Sequence, residues 1–285
     1  MIALVDQTYV LHIYKDYSLL PTLTKVTLAH ARFGRRDQAI LECLLITAVS
    51  SVVLAALAYH RGYMDWSWDA INHHIYLGLI AESPRWRLDI SAAASQTYQY
   101  PYLYWPVYKL SLMSGSGALA GALWAAAQTA LVMPPVWLFS YRVLPDSETV
   151  WLSRFYRAIA CALALLSLPV LAAVGTTAND VLAGVPLLWA ISLGIKFPVS
   201  ERAALISAML LGIAIAFKYS NVLFLPFLIF VWWQPHSPRV PLRLGFRIAF
   251  CSVAGFALAY APWGWQLWRE TGNPFYPHLA AFFAT

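Results

Sequence analysis

The strongest constraint on this chain is a set of nearly charge-free apolar runs. Each is about 17–25 residues long, the length a helix needs to cross the hydrocarbon core of a bilayer. They fall near 38–58, 117–139, 158–174 and 180–195, with a last one near 248–267. The stretch 203–233 is too long for one helix. It is interrupted by Phe217-Lys218-Tyr219-Ser220-Asn221, so it reads as two short helices meeting at a polar break. Composition agrees: 60% of the residues are hydrophobic and only 11% are charged, whereas a soluble domain carries about 25% charged residues. A soluble globular fold is excluded. The 13 Trp, 16 Tyr and 14 Phe supply aromatic belts for both membrane interfaces. The expected fold is all-α, a polytopic transmembrane helix bundle of about seven spans. It carries a large first external loop with amphipathic or interfacial helices.

Orientation follows from the basic residues. Lys15, Lys25, Arg32, Arg35 and Arg36 precede the first run, and Arg142, Arg154 and Arg157 lie between the second and third. Lys196 and Arg202 follow the fourth, and Arg239, Arg243 and Arg247 precede the last. With this span count all of them fall on one side, which the positive-inside rule makes the cytoplasmic one. The expected organisation is a cytoplasmic N-terminal segment, 1–37, and a transmembrane domain, 38–285, with 59–116 as the first external loop. The N-terminal segment lacks a basic start followed at once by an apolar run, so it is not a cleavable signal peptide. It reads as an amphipathic surface helix or as an over-extended start. The net charge of +6 follows from topology, and no nucleic-acid partner is expected. Cys43, Cys161 and Cys251 fall inside the apolar runs as small buried residues, with neither metal spacing nor a disulfide framework.

The candidate chemistry starts in the first loop, at Trp68-Asp69-Ala70-Ile71-Asn72-His73-His74-Ile75-Tyr76. That loop holds Asp65, Asp69, Glu82 and Asp89, from a chain with only 13 acidic residues. If the segment is helical, Asp65, Asp69, Asn72, His73 and Tyr76 share one face. A carboxylate held there against lipid would have its proton affinity raised and would suit a general base. Asp69 and His73, at i and i+4, also have a metal-ligand spacing; solvated loop residues are the alternative. Arg85, Arg87 and Asp89 follow, then the aromatic stretch Ser95-Gln96-Thr97-Tyr98-Gln99-Tyr100-Pro101-Tyr102, which suits sugar rings or lipid headgroups equally. Thr176-Thr177-Ala178-Asn179-Asp180 is a short turn whose Asp180 is either a helix cap or a site residue. Lys218, an ionisable residue inside an apolar stretch, raises a functional hypothesis by default. Its cation would suit an anionic phosphate, and a lysine snorkelling to the interface is the alternative. The segment from Glu270 to Pro277 returns to the same side, so four polar elements are expected to converge.

The order of these elements resembles a family of bacterial multispanning proteins assigned to the GT-C glycosyltransferase superfamily. The resemblance rests on WDAINHHIYLGLI, RLDISAAASQTYQYPYLYWPVYKL, TTANDVLAGVPLLWA, GIAIAFKYSN and ETGNPFYP, in that sequence. It departs at Asn72-His73-His74, where members often show Asn-Tyr-His. The resemblance implies an inner-membrane enzyme that moves a sugar from a polyprenyl-phosphate-linked donor to an acceptor at the external, periplasmic face. It implies Asp69 as the catalytic base or a metal ligand, and Asp89 as a second acidic position. Beside these, Asn72, Tyr76, Arg85, Arg87, Gln96, Asn179, Asp180 and Lys218 are the expected substrate contacts. Asp69 and His73 are the candidate ligands for a divalent cation, Mg2+ or Mn2+. Expected partners are membrane lipid and the lipid-linked sugar. Two other classes stay open at this stage: a non-catalytic subunit of a larger membrane complex, and a lipid or solute transporter.

Overall fold

The computed structural model describes residues 21–64, 67–86, 88–89, 92–113, 115–145, 147, 149–195, 200–232 and 242–283, with side chains from residue 37 onward. Asp65 and Arg87 lie outside the described residues, as do Lys15, Lys196 and Arg239. The chain divides into two units, Met1–Leu44 and Leu45–Thr285. In the first, the described residues form the opening turns of α1 (Pro21–His60). The second holds the rest, and among the described residues it is helical throughout, without a β-strand.

Among the described residues, three helices are long and apolar enough to cross a membrane: 37–60 within α1, α4 (Gly117–Val143) and α11 (Leu242–Thr271). Together they are the signature of an all-helical membrane protein. Their burial differs in a telling way. Half of α4 is buried inside the molecule, against 11% of the apolar windows of α1 and α11. The outward faces of those two carry Val49, Val52, Val53, Phe246, Phe250 and Val253, all exposed. Such surfaces are stable only in an apolar solvent.

The other apolar runs form shorter helices, and prolines explain most of the breaks. The run 158–174 is divided into α5 (Val150–Leu165) and α6 (Leu168–Ala173), because Pro169 has no N–H to give and its ring suits only the first turn of a new helix. Pro186 does the same after Gly184, dividing 180–195 into α7 (Asp180–Ala183) and α8 (Val185–Gly194). The long stretch after Ser200 breaks where it was expected to. There α9 (Glu201–Phe217) stops at Lys218, whose backbone is extended, and a 3-10 turn (Tyr219–Phe224) leads into α10 (Leu225–Trp232). A short α12 (Ala280–Phe283) follows α11.

Between α1 and α4 the chain makes a π-helical turn (Ala70–His74), α2 (Ile75–Glu82), a 3-10 turn (Ala94–Tyr98) and α3 (Trp105–Met113). Two packing contacts set the frame. Leu211 of α9 is fully buried with Leu187, Ala190 and Leu228 of its neighbours. Against α11, α9 approaches so closely that a Cβ on Gly212 would collide with the Ser252 carbonyl oxygen, and one on Gly255 with the Met209 carbonyl oxygen. Small residues at a helix crossing are how apolar helices gain dispersion contact where lipid offers no hydrophobic drive.

Candidate functional site

A cleft of about 480 Å³ opens where α9 ends and α7 begins. Its walls come from five segments distant in sequence. The π-turn contributes Asp69, His73 and His74, and the 94–100 region contributes Ser95, Gln96, Tyr98, Gln99 and Tyr100. Tyr104, Asn179, Asp180, Phe217, Lys218, Tyr219, Ser220, Pro277 and His278 complete the lining. The four polar elements singled out in the sequence therefore meet at one place.

The π-turn decides which loop residues reach the cleft. Its i→i+5 hydrogen bonding widens the helix by a residue and shifts the register of everything after it. Asp69 and His73 stay on the cleft side; Asn72 does not line the cleft but donates from Nδ2 to Oε1 of Gln96, which does, at 3.2 Å. Tyr76 is carried away. Its hydroxyl donates to Asp89 Oδ2 at 3.4 Å, and Arg85 Nε lies 3.2 Å from the same oxygen. Tyr76, Arg85 and Asp89 thus form a cluster of their own and do not line the cleft, so the expected single face is split. The Asp69 side chain is 59% exposed.

The histidines are buried and held neutral. His74 Nδ1 is 2.7 Å from Thr177 Oγ1, and its ring stacks on Tyr104 at 4.7 Å between centroids. Burial, reinforced by the adjacent His73, pushes the His74 pKa down to about 4. Burial also lowers His73, with the Asp69 carboxylate opposing it. His73 is 4% exposed, and its Nδ1 is buried without a hydrogen-bond partner. Asp69 Oδ1, at 3.8 Å, is beyond hydrogen-bonding range. Tyr104 is raised by burial and then by Asp180 and Asp69, while its hydrogen bond to Asn179 opposes the shift. Burial takes Tyr100 up to about 12. Both phenols remain protonated donors at neutral pH.

Opposite them, Lys218 forms an ion pair with Asp180. The chain after α11 is folded back by Asn273, whose Nδ2 donates to the His278 carbonyl at 2.7 Å and whose Oδ1 accepts from Phe275 N at 2.8 Å. Tyr219 donates to Tyr260 Oη at 2.6 Å, and Tyr260 donates to the Pro274 carbonyl at 3.0 Å. These bonds bring Pro277 and His278 to the cleft wall. Sequence reasoning missed His74, Tyr104 and His278 as cleft residues. The signal for Tyr104 was the aromatic density of 98–105; for His278 it was the return of the 270–277 segment.

Among the described residues no three His, Cys, Asp or Glu side chains converge on one point. Asp69 with the partnerless His73 nitrogen offers two ligands. Chemically, the described residues of the cleft combine the carboxylates of Asp69 and Asp180, the Lys218 ammonium, imidazoles, and phenol and amide donors. That set suits a polyhydroxylated ligand with an anionic group, beside an apolar bundle. The fold and cleft define an all-helical membrane protein with a polar, tyrosine-lined site. No protein-family model matches the chain, and neither a curated protein nor a solved structure matches it.

Proposed function

We propose that this protein is a GT-C-like membrane glycosyltransferase that moves a sugar from a polyprenyl-phosphate donor to an acceptor hydroxyl. The observation that carries this reading is the meeting of Asp69, Lys218 and the Tyr98–Tyr100–Tyr104 wall in one cleft beside helices with lipid-compatible faces. In the proposed reaction Asp69 takes the proton of the acceptor hydroxyl. The acceptor oxygen bonds to the anomeric carbon, and the bond from that carbon to the lipid phosphate oxygen breaks. The departing phosphate keeps that electron pair and is stabilised by Lys218. Gln96, Gln99 and Asn179 hold sugar hydroxyls.

Asp69 and His73 Nδ1 are the groups that would hold a divalent cation, Mg2+ or Mn2+, with water or substrate completing its shell. Such an ion supplies charge neutralisation at the phosphate. Asp89, Arg85 and Tyr76 are second to these, as supports of the loop.

The proposed topology has about seven crossings, the N-terminus in the cytoplasm and the cleft at the external face of a bacterial inner membrane. Arg142, Arg154, Arg202, Arg243 and Arg247 lie toward the helix ends away from the cleft, which supports that orientation.

Native mass spectrometry of the purified protein tests the function. Retention of a polyprenyl phosphate or its glycoside, lost in Lys218→Ala, is the expected result. Retention of bulk phospholipid alone, with stoichiometric partner subunits, would replace the enzyme with a non-catalytic subunit. Substrate flux that leaves the sugar–lipid bond intact would replace it with a transporter.

A further inference from the structure

Among the described residues, the charged side chains lining the cleft are Asp69, Asp180 and Lys218, so carboxylates outnumber cations there. The one ammonium is already engaged by Asp180. A phosphate arriving there meets an occupied cation.

This pair is built into the fold. The buried Asn221 donates from Nδ2 both to the Ala183 carbonyl of α7 at 3.2 Å and to the Ala214 carbonyl of α9 at 2.8 Å. Lys218 N bonds the same Ala214 carbonyl at 3.0 Å, and Asn221 N bonds the Lys218 carbonyl at 2.9 Å. Asn221 thus ties the last residue of the one-turn helix that begins at Asp180 to the end of α9 that leads into Lys218. The two side chains themselves stay 62% and 46% exposed, open to a ligand. An exposed pair is weakly held, whereas a phosphate accepts several charge-assisted hydrogen bonds from an ammonium and its neighbours. A phosphate therefore has more acceptor oxygens to offer the ammonium than Asp180 has.

We propose that Asp180 is a latch on Lys218: it occupies the ammonium before ligand binding, and the entering phosphate displaces it. This inference rests on the phosphate-binding role of Lys218 proposed above. It assigns Asp180 as the competitor of the ligand in place of a substrate contact. Asp180 thereby sets how tightly the lipid phosphate is held, which governs how readily it leaves after transfer.

The test is a titration of the full-length protein in nanodiscs with geranyl phosphate, for wild type, Asp180→Asn, Lys218→Met and the double variant. Lys218→Met is expected to weaken binding by about tenfold or more. Asp180→Asn is expected to tighten it by about two- to fivefold, and this gain should vanish in the Lys218→Met background. Weaker or unchanged binding in Asp180→Asn overturns the latch while leaving the phosphate role intact. An equal gain without Lys218 also overturns it, since the effect would then be general charge removal. If Lys218→Met binds like wild type, the phosphate role fails and the latch falls with it. Asp180→Glu, which keeps the charge, should stay within twofold of wild type; a gain as large as that of Asp180→Asn counts against the latch.

Discussion

The two ends of the α8–α11 group use polar residues in opposite ways. Away from the cleft, several polar side chains are spent on the fold. Arg142 donates to the Ser192 and Leu193 carbonyls at the end of α8, and Ser192 donates to the Pro135 carbonyl at 2.7 Å. Ser207, fully buried, donates to the Ala190 carbonyl at 2.6 Å and accepts from Trp232 Nε1 at 3.1 Å. Arg247 pairs with Glu201. At the cleft, by contrast, Asp69 is largely exposed and His73 Nδ1 is buried with no hydrogen-bond partner. Buried polar atoms are normally satisfied, so an orphan that lines a cleft is open to a ligand's hydrogen bond. One end closes helix termini; the other keeps polar groups available.

Substitutions at the two ends should therefore separate activity from stability. Asp69→Asn should lower transferase turnover by about 10²–10⁴-fold and leave the melting temperature within a degree or two of wild type, by about the margin expected of an exposed site. Near-normal turnover would remove Asp69 as the base. Gly212→Leu should do the reverse. Its side chain has nowhere to go against the Ser252 carbonyl, so a loss of about 3 kcal/mol or more is expected, read as aggregation on size exclusion or a collapsed melt. Ser207→Ala leaves the Trp232 N–H buried and unpaired, and should cost about 1–3 kcal/mol with the cleft's ligand affinity retained. Wild-type stability in that variant would mean that the opposite end is not held by its polar bonds.

The histidines give a pH-dependent way to sharpen the same contrast. His74 ionises at about 4 in the folded protein against 6.5 as its ordinary value. Between those values the unfolded chain binds more protons, so stability falls as the pH drops from about 6.5 toward 4. His74→Gln should flatten that slope in thermal melts collected across the window, and an unchanged slope would show that His74 is not its source. The smallest effect is expected at Asp89. Asp89→Asn loosens a partly exposed cluster with Arg85 and Tyr76, for less than about 1 kcal/mol. It should change turnover only slightly, because the cluster does not line the cleft.

Much of the architecture was legible in the residues. The apolar runs that became 37–60, α4 and α11 needed only length and composition, and the break at Lys218 was visible as polar residues inside an apolar stretch. Pro169 and Pro186 stood in plain view, yet runs treated as single spans hid what a missing N–H does to a helix. The loop was harder. Asp69 and His73 at i and i+4 remain neighbours in any helical turn, so their proximity was readable. Tyr76 depended on a register that the π-turn changed, and nothing local in Ala70–His74 announces that turn. It is settled by where the His73 and His74 rings pack, beside Tyr104 and Thr177 from elsewhere in the chain.

By itself the sequence determined that this chain lives in an apolar solvent, is helical, and gathers its polar residues into a few segments. Hydrophobicity and helix length are sums over neighbouring residues, and such sums survive folding. Only the tertiary structure decided which of those polar residues face one another: Asp180 on Lys218, His74 on Thr177, Asn221 between α7 and α9, and Asp89 outside the cleft. Those pairings depend on helix breaks, register and packing between segments distant in sequence, 38 residues apart for Asp180 and Lys218 and 103 for His74 and Thr177. No local sum contains them.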